Sequence, residues 1–209
     1  MALKAALALG AAAPGAQAET VVLALGDSLT AGYGLPRDQG FVPVLQGWLD
    51  ARGAAARVVN AGVSGDTTAG GRARLDWALD PLPDAAIVAL GGNDLLRGVD
   101  PAVSRANLDA ILARLRAEGV EVLLVGLEAP GNLGPAYKAA FDAMYPELAA
   151  THGAAHEPSF LAPLAEGISL GEARARYMQG DGIHPNAAGV QVIVEALGPA
   201  VEALVARAR

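Results

Sequence analysis

The sequence predicts an α/β protein built on a doubly wound parallel sheet. Two observations carry this. Short runs rich in Val, Leu and Ile are apolar at consecutive positions, as strands covered on both faces must be. Amphipathic stretches with helical spacing separate those runs, so strands and helices alternate along one chain.

The first twenty residues stand apart from this pattern. Lys4 precedes an almost wholly apolar stretch over residues 5–13, and Ala16-Gln17-Ala18 has the small-residue form of a cleavage site. That is a secretory leader, with cleavage expected after Ala18 and export to the periplasm. The competing reading is an apolar first helix of the domain. Residues 19–209 then form one domain, large enough to bury a substantial core.

Along that domain, strands are expected over residues 21–26, 57–62, 85–91 and 121–127, with a weaker fifth over Ala154 to Pro158. Helices are expected over 41–52, 101–117, 136–150 and 187–208. In the first, Phe41, Val44, Leu45, Trp48 and Leu49 share a face. In the second, Leu108, Ile111, Leu112 and Leu115 do, and Gly119 is placed to end it. No stretch after the leader reads as long and apolar enough to span a bilayer.

Composition excludes several function classes. The chain has no cysteine, so disulfides, thiolate metal sites and thiol catalysis are out. A formal net charge of -7 is the wrong sign for a nucleic-acid partner, and at 4% aromatics, stacking platforms for bases are scarce. The partner expected instead, on the chemistry of the blocks below, is a small-molecule substrate.

In an open α/β sheet, ligands bind beyond the carboxyl ends of the strands. The residues that follow the apolar runs therefore matter most. The first run ends in Gly26-Asp27-Ser28, the second in "NAGVSGDTT" (60–68), and the third in "GGND" (91–94); "DGIHPN" (181–186) precedes the last helix. Together they supply what acyl transfer by a serine requires. Ser28 is the hydroxyl. His184 is the base, and Asp181 can hold its tautomer. The Gly65 N–H and the Asn93 amide are oxyanion donors, joined by the Ser28 N–H if a helix opens there. Asp27 reads as a local cap, Asp94 as the N-cap of the helix after the third strand, and Asn186 as the start of the last helix.

These blocks carry a family resemblance. "GDSLTAGYG", "SGDTTAGGRARL", "GGNDLLRG" and "DGIHPN" look like the four signature blocks of the SGNH (GDSL-type) hydrolases, in order over residues 26–186. The chain most resembles the bacterial periplasmic branch of thioesterases, lysophospholipases and arylesterases. The resemblance implies a three-layer α/β/α, flavodoxin-like fold with five parallel strands. It implies Ser28, Asp181 and His184 as the triad, Ser28, Gly65 and Asn93 as the oxyanion hole, and neither metal nor cofactor. It also implies that stretches 95–100 and 129–136 shape the acyl pocket. The expected activity is hydrolysis of carboxylic esters, acyl thioesters or lysophospholipids by a protein favoured to be monomeric.

Three rival readings remain at this point. A carbohydrate or peptidoglycan O-acetyl esterase would use the same residues, but its sugar platforms call for more aromatics than Trp48 and Trp77. A periplasmic binding module would explain the sheet, yet not four chemically matched side chains at strand ends. "GISLG" (167–171) fits the G-x-S-x-G nucleophile elbow, which works only after a buried strand; "APLAEG" is no strand, so Ser169 is expected to cap a short helix over Glu172 to Tyr177. His152 and His156, four apart, read as structural rather than as a metal pair.

Overall fold

The computed structural model describes residues 18–208. The leader expected over residues 1–18 lies outside them but for Ala18.

Five strands, β1 (Thr20–Gly26), β2 (Ala56–Gly62), β3 (Ala85–Ala89), β4 (Glu121–Val125) and β5 (Ala155–Glu157), pair in the order β2-β1-β3-β4-β5, all parallel. This is the flavodoxin-like order, whose crevice for ligands opens where the winding reverses, between β1 and β3. Every residue of β3 is buried, as are six of the seven in β1. β3 and β4 end two residues before their apolar runs do. Gly91, at φ 123°, turns the chain out of the sheet after β3, and the Gly126 N–H after β4 donates to Glu157 O.

Nine helices accompany the strands among the described residues, the last two after β5: α1 (Ser28–Ala31), α2 (Phe41–Asp50), α3 (Thr68–Ala73), α4 (Leu75–Ala78), α5 (Gly92–Leu96), α6 (Pro101–Ala117), α7 (Pro135–His152), α8 (Leu170–Tyr177) and α9 (Ala187–Arg207). α2 packs on α9 and α6 on α7, so helices pair off and cover the sheet. Trp48 locks the first pair: its Nε1 donates to Glu195 Oε2 at 3.0 Å, and the Arg52 guanidinium lies 3.4 Å from its ring centre. The exposed edge of β2 is blunted by one side chain. Gln46 donates to Ala56 O and accepts from the Val58 N–H, both at 2.8 Å, which occupies two of the edge's backbone groups.

α9 corrects one expectation. By length and composition it is apolar enough to cross a membrane, the only such helix among the described residues. Half of its most apolar window is buried inside the protein, however, and Val190, Ile193, Val194, Leu197, Val201 and Leu204 recur at three- and four-residue spacing toward the core. Its apolarity serves the sheet.

Candidate active site

β1 delivers Ser28 to the carboxyl edge of the sheet. Gly26 ends the strand and α1 begins at Ser28 with no intervening loop. A Cβ at residue 26 would lie 2.0 Å from Thr30 Oγ1, so only glycine lets the helix fold back so closely onto its own strand. Asp27 is the N-cap, as expected: its Oδ1 accepts the Leu29 N–H at 3.0 Å. Ser28 thus sits in the first turn of α1, where its own N–H has no partner among the described residues.

His184 arrives from the other end of the chain, in the loop between α8 and α9. Its Nε2 stands 2.9 Å from Ser28 Oγ, and its Nδ1 stands 2.6 Å from Asp181 Oδ2. The second oxygen of Asp181 accepts the Ile183 and His184 N–H groups at 2.9 and 3.1 Å. The bond from the His184 ring, supported by those two N–H groups, holds the Asp181 carboxyl down at about 2. Asp181 is therefore an anion throughout the neutral range, a permanent acceptor that favours Nδ1–H and leaves the Nε2 lone pair toward Ser28. Pro185 and Asn186 close the loop. Asn186 caps α9 through the Gly189 N–H at 3.0 Å and donates to Arg176 O at 2.9 Å.

The two remaining blocks line the same edge. Gly65 has φ 87°, a left-handed turn that favours glycine. Its N–H has no acceptor among the described residues, while its carbonyl accepts from Arg97 Nη2 at 2.9 Å. Asn93, in α5 after β3, donates from Nδ2 to Asp66 O at 2.9 Å and lies 3.4 Å from Asp27 Oδ2. One amide hydrogen is thus anchored on the backbone, and the other is held by the weaker contact only. Arg74 braces the base of this arrangement, with Nε on Asp66 Oδ2 at 2.6 Å and Nη2 on Gly26 O at 3.0 Å.

Asp94 is not the N-cap of its helix. Gly91 occupies that position, and Asp94 lies inside α5, fully buried. A buried carboxylate needs donors, and three converge on it: the Thr68 N–H (2.8 Å), Thr68 Oγ1 (2.6 Å) and Ser104 Oγ (2.9 Å). It therefore caps α3 across space and ties the turn containing Gly65 to the helix containing Asn93. Ser169 behaves as expected, capping α8 through the Glu172 N–H at 3.2 Å, although the helix starts at Leu170 rather than Glu172. A 3-10 turn over Ala162–Ala165 precedes it, not a strand. His152 pairs with Asp109 at 2.7 Å, whereas His156 lies in β5. No group of three or more metal-binding side chains forms among the described residues.

Sequence reasoning missed Tyr33, whose ring lies 4.6 Å from that of His184. A cavity of about 290 Å³ opens beside Ser28 and Asn93, walled by Leu95, Leu96, Leu127, Leu161, Met178 and Ile183. The stretches singled out for the pocket contribute Leu95, Leu96 and Pro130. The rest of the wall comes from β4's exit, the segment after β5 and the His184 loop.

Asp27 has a measurable electrostatic signature. Burial, only partly offset by the Leu29 N–H and by His184 and Asn93, pushes its carboxyl up to about 6. The folded form then holds its proton from pH 3.8, where the unfolded chain releases it, up to about pH 6. Below that window Asp27 is protonated in both states and has no effect. Through the window rising pH destabilises the fold, by on the order of 3 kcal/mol in full. Asp27→Asn is therefore expected to gain stability relative to the unsubstituted protein between pH 4 and pH 7, measured by urea unfolding. Identical pH dependence of the two proteins would refute the burial argument.

A parallel α/β sheet that presents hydroxyl, imidazole and carboxylate in hydrogen-bonded series beside an apolar cavity defines a hydrolytic enzyme. Comparison with known proteins makes the class specific. Residues 24–192 match the model of the GDSL-like Lipase/Acylhydrolase family. "Esterase TesA" of Pseudomonas aeruginosa is 42% identical over 188 residues, covering 90% of each chain. "Thioesterase 1/protease 1/lysophospholipase L1" of Escherichia coli K12 is 39% identical over 172 residues, 82% of this chain and 78% of that protein. A crystal structure of TesA superposes with a TM-score of 0.80 at 41% identity, over 88% of this chain and 99% of the other. The chain belongs to the GDSL-like lipase/acylhydrolase family.

Proposed function

We propose that the protein is an exported serine esterase that hydrolyses carboxylic esters, acyl thioesters and lysophospholipids through an acyl-enzyme intermediate. The observation that carries this reading is the series Ser28 Oγ, His184 Nε2, His184 Nδ1, Asp181 Oδ2, with separations of 2.9 and 2.6 Å, at the mouth of an apolar cavity.

The chemistry follows from those contacts. Ser28 Oγ attacks the carbonyl carbon as its proton passes to His184 Nε2, and Asp181 stabilises the imidazolium that results. The carbonyl oxygen, now an anion, is received by the Ser28 and Gly65 N–H groups and by the Asn93 amide hydrogen that only the long contact to Asp27 holds. His184 returns the proton to the departing alkoxide or thiolate. Water then enters by the same route in reverse: His184 removes its proton, the hydroxide attacks the acyl carbon, and Ser28 regains its hydrogen as the acid leaves.

The apolar wall favours alkyl acyl groups over acetyl, which speaks against the O-acetyl esterase reading. The leader pattern over residues 1–18 supports export to the periplasm. A series of p-nitrophenyl esters and matching CoA thioesters from acetate to palmitate tests the reading. Turnover is expected to rise from acetate into longer chains for both. Activity confined to acetate would overturn it.

A further inference from the structure

We propose that Gln179 is a positioning residue that sets the distance between nucleophile and base. This rests on the reading of Ser28 and His184 given above. Ser28 and His184 lie 156 positions apart, and no covalent link joins their segments. α1 is a four-residue helix, and the His184 loop is pinched at its base by the bridge between Met178 and Pro185. A 2.9 Å contact between two such short segments needs a direct tie.

Gln179 makes one. Its side-chain Nε2 donates to Tyr33 O at 2.8 Å and to Pro185 O at 2.9 Å, so both amide hydrogens are used. Tyr33 is in turn bound to the nucleophile's own residue, since its N–H donates to Ser28 O at 3.1 Å. The Pro185 carbonyl immediately follows His184. A chain of hydrogen bonds therefore runs from the Ser28 carbonyl through the backbone of Tyr33 and the Gln179 amide to the Pro185 carbonyl, one residue past His184. The backbone of Gln179 shapes the same loop from within: its N–H donates to His184 O at 2.8 Å, and its carbonyl accepts the Gly182 N–H at 2.9 Å.

The facing surface is fitted to this side chain. Gly34 has φ 75°, and a Cβ there would come within 2.2 Å of Gln179 Oε1. The left-handed turn after Tyr33 thus leaves room for the amide to reach the Tyr33 carbonyl. Tyr33 also lays its ring against the His184 imidazole, so the tie aligns a second contact on the base. Neither Gln179 nor Tyr33 nor Pro185 lines the cavity that would receive substrate.

Gln179→Leu removes both donors while keeping most of the bulk, and Gln179→Glu keeps the length but replaces the two donor hydrogens with an acceptor. With p-nitrophenyl butyrate, kcat per active site, counted by fluorophosphonate titration, is expected to fall between about 10-fold and 10²-fold. KM should stay within about twofold, because the acyl cavity is untouched. The rate of fluorophosphonate labelling, which reads Ser28 activation alone, should fall in parallel with kcat. A merely structural role would lower the thermal midpoint and the titratable fraction but leave kcat per site near that of the parent. That result in whichever variant folds overturns the proposal, as does failure of both variants to fold. A Ser28→Ala control separates the two claims: if it stays active, the assignment of Ser28 fails; if it is dead while the Gln179 variants turn over normally, only this inference fails.

Discussion

Ser28→Ala is expected to abolish ester hydrolysis, lowering kcat by about 10⁶-fold. Without Oγ there is no atom to form the acyl bond, and His184 has no proton to remove from the protein. Any residual rate would come from the oxyanion donors and the cavity acting on bulk water. The fold should survive. The Ser28 hydroxyl makes one side-chain contact, to a half-exposed loop, and alanine is well tolerated in a helix. Thermal or urea unfolding should shift by no more than about 1 kcal/mol. A variant that retains more than about one-hundredth of the parent's kcat would remove Ser28 from the reaction.

Asp181→Asn should lower kcat by about 10⁴-fold with little change in KM. The aspartate now accepts three hydrogens: two backbone N–H groups on one oxygen and the His184 Nδ1–H on the other. In the variant the amide oxygen would keep the two backbone bonds, since both reach the same atom. The NH₂ group must then face Nδ1 and can only donate to it. That selects the tautomer with hydrogen on Nε2, which points a donor at Ser28 where an acceptor is required. The geometry is preserved and the proton inventory is wrong. Because the Asp181 carboxyl is held at about 2, the parent loses this acceptor only in strong acid, so protonation of Asp181 should not limit activity between pH 5 and pH 9 on the neutral scale. A variant with near-parental kcat would show that Asp181 merely shapes its loop.

Much of this was legible in the chain itself. A strand covered on both faces has no polar positions to alternate with, so β1 and β3 read as continuous apolar runs and the polar residues after them stood out. Asp27-Ser28 and Asn93 were found by that contrast, Gly65 in the Gly-rich block after the second run, and the Asp181–His184 pair in the block before the last helix. The contacts that hold them together were not. The partners of Asp94 lie 26 and 10 positions away, and a carboxylate after Asn93 looks locally like any helix cap. Gln179 reaches Tyr33 across 146 positions, and nothing in the composition around it marks a pairing that exists only once α1 and the α8–α9 loop have met. Tyr33 carried no mark of its own beyond its place in the first block. The helix expected over 187–208 is α9; its composition alone would let it cross a membrane, and the sheet packed against it takes up its apolar face. Local pattern reports burial and backbone conformation; pairing across the fold depends on topology, which local pattern does not contain.

The most direct measurement is the site of covalent capture by a fluorophosphonate, read by peptide mass spectrometry and repeated after His184→Ala. The account predicts a single adduct on the peptide containing Ser28, formed rapidly in the parent and at a greatly reduced rate in the variant. An adduct on Ser169 or any other residue, or labelling of Ser28 that proceeds equally fast without the imidazole, would contradict it.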